Sequence, residues 1–301
     1  MFEYQVEQKI LEIGGVKIGG QPGVNPTVLV GSIFYTGDRL VLDPKSGRID
    51  VAGTEDVLQN LEETSEKTGL PSMLDVVAIS PEAADRYIRL LADMTDSPLM
   101  IDGSDQTAVN LAGVNAASDA GLLHRVVLNS LTPESSGEVY SRFQDTGLKN
   151  VVLLTFSSEA MASATKRVEL ADSLIKKAKN SGFTNLLIDT GVADLLTLGL
   201  ACKALQTIKE KQGYPVGCGA HNAVSTWRGL VPKFGDEAKK PAFVGSNLMP
   251  VVLGADFVLY GPVQDAPIVY PSIAMIDVAL SGILLETRTP IDKTHPRYRI
   301  S

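Results

Sequence analysis

Residues 185–218, NLLIDTGVADLLTLGLACKALQTIKEKQGYPVGC, decide the fold. Asn185–Asp189 is a short apolar run that ends on a carboxylate. Apolar residues then recur at helical spacing through Leu195–Gln212, Gly213 follows, and Pro215–Cys218 starts a second apolar run. Short apolar runs without alternation read as strands buried on both faces. A glycine just past a helix supplies the left-handed residue that ends it. The segment therefore reads strand, helix, strand, a βα unit of a parallel sheet.

Working outward, the same pattern recurs along the chain. Further strands are expected at Thr27–Phe34, Ser72–Val77, Leu99–Asp102, Arg125–Ser130, Val151–Thr155 and Asp256–Tyr260. Between them lie expected helices at Glu55–Lys67 (with Thr54 as its cap), Pro81–Ala92 (capped by Ser80), Ser104–Ala120, Pro133–Thr146, Thr165–Ser181 and Ala266–Leu285. Gly69, Gly121, Gly147 and Gly182 fall just past helices, in phase with Gly213. Eight strands with alternating helices predict an α/β fold, a (β/α)8 TIM barrel. A doubly wound sheet would want fewer strands or a second domain, and no linker-like composition shift divides the chain, so residues 1–301 read as a single domain. Residues 10–20, ILEIGGVKIGG, read as a β-hairpin closing the N-terminal bottom of the barrel. Trp227–Ser246 reads as a long irregular insertion, a candidate lid.

Composition narrows the classes. Of 301 residues, 44% are hydrophobic and 21% charged, which excludes a disordered or low-complexity chain. Lys and Arg number 27 against 35 Asp and Glu, a net charge of −8, which argues against a nucleic-acid or anionic-membrane partner. Two cysteines, Cys202 and Cys218, are too few for a disulfide framework. The acidic N-terminus lacks the pattern of a signal peptide, and no uninterrupted apolar run reaches the roughly 18 residues of a transmembrane helix. A cytoplasmic enzyme with no membrane partner is expected.

Barrel chemistry belongs at the C-terminal ends of the strands. There the sequence places Asp75, Asp102, Asn129 with Ser130, Thr155, Asp189 and Cys218, the last followed by His221 and Asn222. No lysine ends a strand, which disfavours a Schiff-base barrel, and no glycine-rich phosphate loop follows the last two strands. Carboxylates and amides suit a flat neutral heterocycle. A carboxylate accepts two N–H bonds from an aminopyrimidinone edge, and an asparagine both donates and accepts. A pterin presents such edges. The plainer alternative is that Asp102 and Asp189 only cap the loops that follow them. Cys218-Gly-Ala-His221 resembles half a zinc site without its other half, so no metal is expected. His221 is the candidate proton carrier. Phe34 and Tyr35 are candidate ligand walls, with core packing as the alternative.

Two segments, GGQPGVNPTVLVGSIFYTGD (Gly19–Asp38) and GYPVGCGAHNAVSTW (Gly213–Trp227), resemble the H-subunit family of tetrahydromethanopterin S-methyltransferase, and the resemblance runs over almost the whole chain. That family is similar to methylcorrinoid:tetrahydrofolate methyltransferases, and this chain looks most like its stand-alone branch, which serves glycine betaine demethylation. The resemblance implies a pterin-binding barrel that methylates N5 of tetrahydrofolate from the methyl-Co(III) of a corrinoid protein. The pterin would be held by Asp102, Asn129, Asp189 and Asn222. Asn222 would act nearest N5 as the catalytic residue. Asp75 and Ser130 are further pterin-site candidates. The cobalamin would be supplied by a partner, because the chain lacks an Asp-x-His-x-x-Gly segment. Gly19–Pro26 and Trp227–Ser246 are the expected docking elements, and a homodimer is expected by analogy. The alternatives are a tetrahydromethanopterin-dependent enzyme, a non-catalytic component of a methyltransferase complex, and a dihydropteroate synthase. The last should carry basic strand-end residues that are missing here.

Overall fold

The structure, a computed structural model, describes residues 3–300. Its strands are β1 (Ile10–Ile13), β2 (Val16–Gly19), β3 (Val28–Ile33), β4 (Val41–Asp43), β5 (Arg48–Ile49), β6 (Ser72–Val77), β7 (Leu99–Asp102), β8 (Val126–Leu131), β9 (Asn150–Leu154), β10 (Asn185–Asp189), β11 (Val216–Cys218) and β12 (Phe257–Pro262). Its α-helices are α1 (Val51–Thr68), α2 (Pro81–Met94), α3 (Thr107–Asp119), α4 (Gly137–Gln144), α5 (Ala164–Asn180), α6 (Leu195–Gln212), α7 (Asn222–Ser225), α8 (Leu230–Phe234), α9 (Lys239–Val252), α10 (Ala266–Ser281) and α11 (Leu284–Thr287). Strands β3, β6, β7, β8, β9, β10, β11 and β12 close, in that order, into a parallel barrel. This is the expected TIM barrel.

Strand periodicity divides the core in two. Val28, Val30, Met73, Met100, Val127, Val152, Leu187 and Phe257 fill the barrel interior, and Ile13 and Ile18 of the β1–β2 hairpin join them from below. The hairpin thus plugs the N-terminal end, as the sequence predicts. Leu29, Leu74, Ile101, Leu128, Val151 and Ile188 point outward into the layer shared with the helices. Side chains two residues apart share a face of a strand. Two positions above the inward residues Val30, Met73, Met100, Val127 and Leu187 stand Ser32, Asp75, Asp102, Asn129 and Asp189. The alternation that fills the barrel with apolar side chains therefore aims a ring of polar groups into its upper mouth.

Several expectations need correcting. Helix α1 begins earlier, at Val51, because the Asp50 side chain accepts the Gly53 N–H as its cap. Thr54 lies inside that helix and returns its hydroxyl to the Asp50 carbonyl. Helix α3 begins at Thr107 because Ser104 and Asp105 take left-handed backbone angles, φ 49° and 66°. Trp227–Ser246 is largely helical, spanning α8 and the start of α9. Pro232 and Pro241 fall in the first turns of α8 and α9, where no N–H partner is needed, so neither breaks its helix. Gly19–Pro26 lies at the bottom of the barrel, where Lys209 donates to the Gly20 carbonyl and Gly23 packs on Leu280, so it is no part of a docking surface over the mouth. The helical stretch Val263–Thr287, of mean hydropathy 1.9, is long and apolar enough by composition to cross a membrane. Here its inner residues Val269, Tyr270, Ile273 and Ala274 are buried in the layer between the barrel and its helices.

Candidate functional site

A cavity of about 580 Å³ opens at the C-terminal mouth of the barrel. All six pterin-site candidates, Asp75, Asp102, Asn129, Ser130, Asp189 and Asn222, line it, whereas Thr155 and Cys218 do not. The cavity wall carries four aspartates, the fourth being Asp105, and no lysine or arginine.

Asp75 is the hub of the floor. Ser32 Oγ donates to its Oδ2 at 2.9 Å, and Asn129 Nδ2 donates to its Oδ1 at 3.0 Å. Both carboxylate oxygens are thus used within the protein. The Asn129 amide is locked in one orientation that leaves its own carbonyl oxygen as an acceptor. Burial raises the Asp75 pKa, and the two donors oppose that shift.

Asp102 and Asp189 are built differently. Asp102 Oδ1 accepts the Ser104 N–H at 2.7 Å, and Asp189 Oδ1 accepts the Gly191 N–H at 2.7 Å. These are the loop-capping bonds of the plainer sequence reading, but each uses one oxygen only. The Oδ2 atoms have no hydrogen-bond partner among the described residues. Burial and the neighbouring Asp75 carboxyl push Asp102 up to about 7. Burial lifts Asp189 to about 6 against the pull of the Gly191 N–H and the Arg167 guanidinium. Two carboxyls with an open oxygen and pKa values near neutrality are primed to accept, or in their protonated form to donate, a hydrogen bond.

Asn222 opens the short helix α7, and its side-chain amide has no partner among the described residues. Next to it, His221 Nδ1 lies 3.0 Å from the Leu259 carbonyl. A carbonyl only accepts, so Nδ1 carries the proton and Nε2 keeps its lone pair. Burial lowers the His221 pKa and holds the ring neutral.

Of the two candidate walls, Tyr35 lines the cavity, while Phe34 packs on Tyr87 with ring centroids 4.4 Å apart. Cys218 is buried, and burial pushes its thiol well above the ordinary range, which leaves no thiolate for catalysis. No cluster of metal-ligating side chains occurs among the described residues.

Sequence reasoning missed Ser32, Phe156 and Arg167. Ser32 could have been found from its position two residues after the inward Val30. Arg167 carries no such signal, since it sits within helix α5 and looks like one more surface cation. It is instead fully buried and donates to the carbonyls of Ala160, Met161, Thr190 and Gly191, clamping the loop that follows Asp189. Its guanidinium lies 5.1 Å from the centroid of Phe156, another residue of the cavity wall.

Fold and site together define a (β/α)8 barrel with an acidic cavity at the C-terminal ends of its strands. Similar solved structures include a Yersinia pestis DHPS with a pterine–sulfa conjugate (TM-score 0.64, 14% identity, 91% of this chain and 100% of that chain). A dihydropteroate synthase of Coxiella burnetii in complex with pteroic acid is also similar (TM-score 0.61, 15% identity, 90% of this chain and 98% of that one). At such identity the likeness concerns the fold alone. The family is settled by sequence: the chain belongs to the tetrahydromethanopterin S-methyltransferase MtrH subunit family, whose model matches residues 6–289. Among its relatives, the H-subunit of tetrahydromethanopterin S-methyltransferase from Methanothermobacter thermautotrophicus is 35% identical over 310 residues, covering 100% of both chains. The corresponding protein of Methanopyrus kandleri is 33% identical over 302 residues, covering 93% of both.

Proposed function

We propose that this chain transfers a methyl group between N5 of a reduced pterin and the cobalt of a corrinoid carried by a separate protein. The observation that carries the reading is the pair of half-satisfied carboxylates, Asp102 and Asp189, in one cavity with the oriented Asn129 and the free Asn222 amide. Their open oxygens accept the N–H groups of the aminopyrimidinone edge, while Asn129 presents its carbonyl oxygen. Each such charge-assisted bond contributes roughly 1.5–3 kcal/mol. Family membership supplies the methyl-transfer chemistry.

In the direction of pterin methylation the neutral N5 amine attacks the methyl carbon. The carbon–cobalt bond breaks, its electron pair stays on the metal, and N5 then releases its proton to solvent. Nothing in this step needs a covalent nucleophile. In this reading the chain's part is to hold N5 in line with the methyl group, with Asn222 hydrogen-bonding beside it. The neutral His221 adds no positive charge next to the nitrogen that becomes cationic.

Tetrahydrofolate is the acceptor in this proposal, with the chain acting as a stand-alone enzyme of the glycine betaine demethylation type. Tetrahydromethanopterin is the second reading, favoured by the names of the relatives. The test is calorimetric titration of the whole chain with each tetrahydropterin, followed by incubation with methylated corrinoid protein. Binding that weakens at least tenfold in Asp189→Ala, about 1.4 kcal/mol, together with formation of the methylated pterin, is the expected result. The ligand that binds more tightly decides the acceptor. If neither pterin binds the folded protein, the proposal fails. Binding without turnover leaves a non-catalytic component of a larger complex.

A further inference from the structure

A second cavity, of about 450 Å³, lies beside the first among α7, α8, α9 and the start of α10. His221, Ser225 and Pro262 line both, so the two are separated by a single wall. Their chemistry is opposite. The mouth cavity is walled by four aspartates and no cation. The second is lined by Val224, Trp227, Leu230, Val231, Phe243 and Ile268, with Lys239 and Lys240. Asp265 is its one acidic residue, and Lys240 lies close enough to hold that carboxyl down electrostatically against the effect of its burial. Lys239 is paired with Asp236 at 2.7 Å, but both side chains are mostly exposed, so the pair yields easily to a competing anion.

An apolar, aromatic-walled slot bordered by two lysines fits an aromatic group that ends in an anion. The acidic mouth would repel such an anion, and these lysines are the cations of the adjoining cavity. We infer that the second cavity is the subsite for the tail of the substrate held in the mouth. In this arrangement Val224, Trp227 and Phe243 pack on an aryl linker, and Lys239 and Lys240 meet its carboxylate or phosphate terminus. The inference rests on the pterin reading and adds a selector to it. The polar floor recognises the ring common to all pterins, and the side cavity recognises what is attached to that ring.

The experiment is calorimetry on the full chain with two probes: tetrahydrofolate, which has an arylamide tail ending in carboxylates, and 6-methyltetrahydropterin, which has none. Two variants are compared with the wild type. Lys239→Glu/Lys240→Glu reverses the charge at the surface, and Val231→Trp fills the slot. The wild type is expected to bind the tailed ligand at least tenfold more tightly. Both variants are expected to remove that advantage and leave the tailless ligand unchanged. Equal binding of the two probes by the wild type overturns the subsite while leaving the pterin site standing. So does tailed binding that survives both variants. If Val231→Trp weakens both probes together it has moved the shared wall, and the charge-reversal variant then decides. Failure of both probes to bind the wild type overturns the pterin reading, and the subsite with it.

Discussion

The bottom of the barrel bonds its buried carboxyl groups fully, whereas the mouth does so for Asp75 but not for Asp102 and Asp189. At the bottom, Asp256 takes Lys209 Nζ on both oxygens at 2.6 and 2.7 Å and the Val216 N–H as well. Asp277, in α10, accepts the Thr27 N–H on one oxygen and the Thr27 hydroxyl on the other. At the mouth, Asp102 and Asp189 each spend one oxygen on the following loop and keep the other open. The open Oδ2 atoms face the mouth cavity and are accessible to solvent, so they avoid the roughly 1–3 kcal/mol that a buried polar group without a partner costs. The fully bonded Asp256 and Asp277 tie α6 and α10 to the barrel, and the half-bonded acids leave one oxygen each facing the mouth cavity.

That contrast can be broken first at the bottom. Lys209→Met leaves Asp256 buried without its cation and is expected to destabilise the protein by about 3–5 kcal/mol. Denaturant unfolding measures this. The surviving folded fraction should bind pterin as before, and adding Asp256→Asn should restore most of the loss. At the mouth the signs reverse. Asp102→Asn removes an acid whose charged form is penalised by burial, so stability is expected to hold or rise. Pterin affinity should fall by roughly 1.5–3 kcal/mol, read by calorimetry. A stability loss matching that of Lys209→Met would show that Asp102 is a structural acid and would erase the distinction.

A further test sharpens the comparison through pH. Asp102 is raised to about 7 and Asp189 to about 6, so the folded protein holds protons that the unfolded chain releases lower on the pH scale. Where the native state binds more protons, stability falls as pH rises. The ligand-free protein is therefore expected to lose stability between about pH 4 and pH 7 from these two groups. Pterin affinity should move the other way, rising about tenfold between about pH 6 and pH 8, as the carboxylates that accept the ring N–H groups ionise. A flat affinity profile across that range would mean that the ligand bonds to neutral acids.

Much of this was legible in the chain. The βα unit at Asn185–Cys218 and the glycines in phase with Gly213 are local facts, and Gly69 and Gly213 do close their helices in the left-handed conformation. The strand-end acids were legible because alternation along a strand is read without knowing its neighbours. What could not be read was anything depending on distant partners. Asp75 looks like Asp102 in sequence, yet only the barrel brings Ser32 and Asn129 onto it. Arg167 looks like a surface residue of α5, and only the closed fold puts its guanidinium beneath the Asp189 loop. The helical nature of Trp227–Ser246 was hidden because its two prolines, Pro232 and Pro241, sit in the first turns of helices, where they are tolerated.

The amino-acid pattern by itself determined the barrel, its hairpin plug and the ring of polar residues at its mouth, because periodicity, caps and strand ends are set by near neighbours along the chain. Tertiary structure alone decided which of the buried acids are structural and which stay available. The partners that fully bond Asp75, Asp256 and Asp277 come from segments 40 to 250 residues away, and no local signal in the chain records whether they arrive.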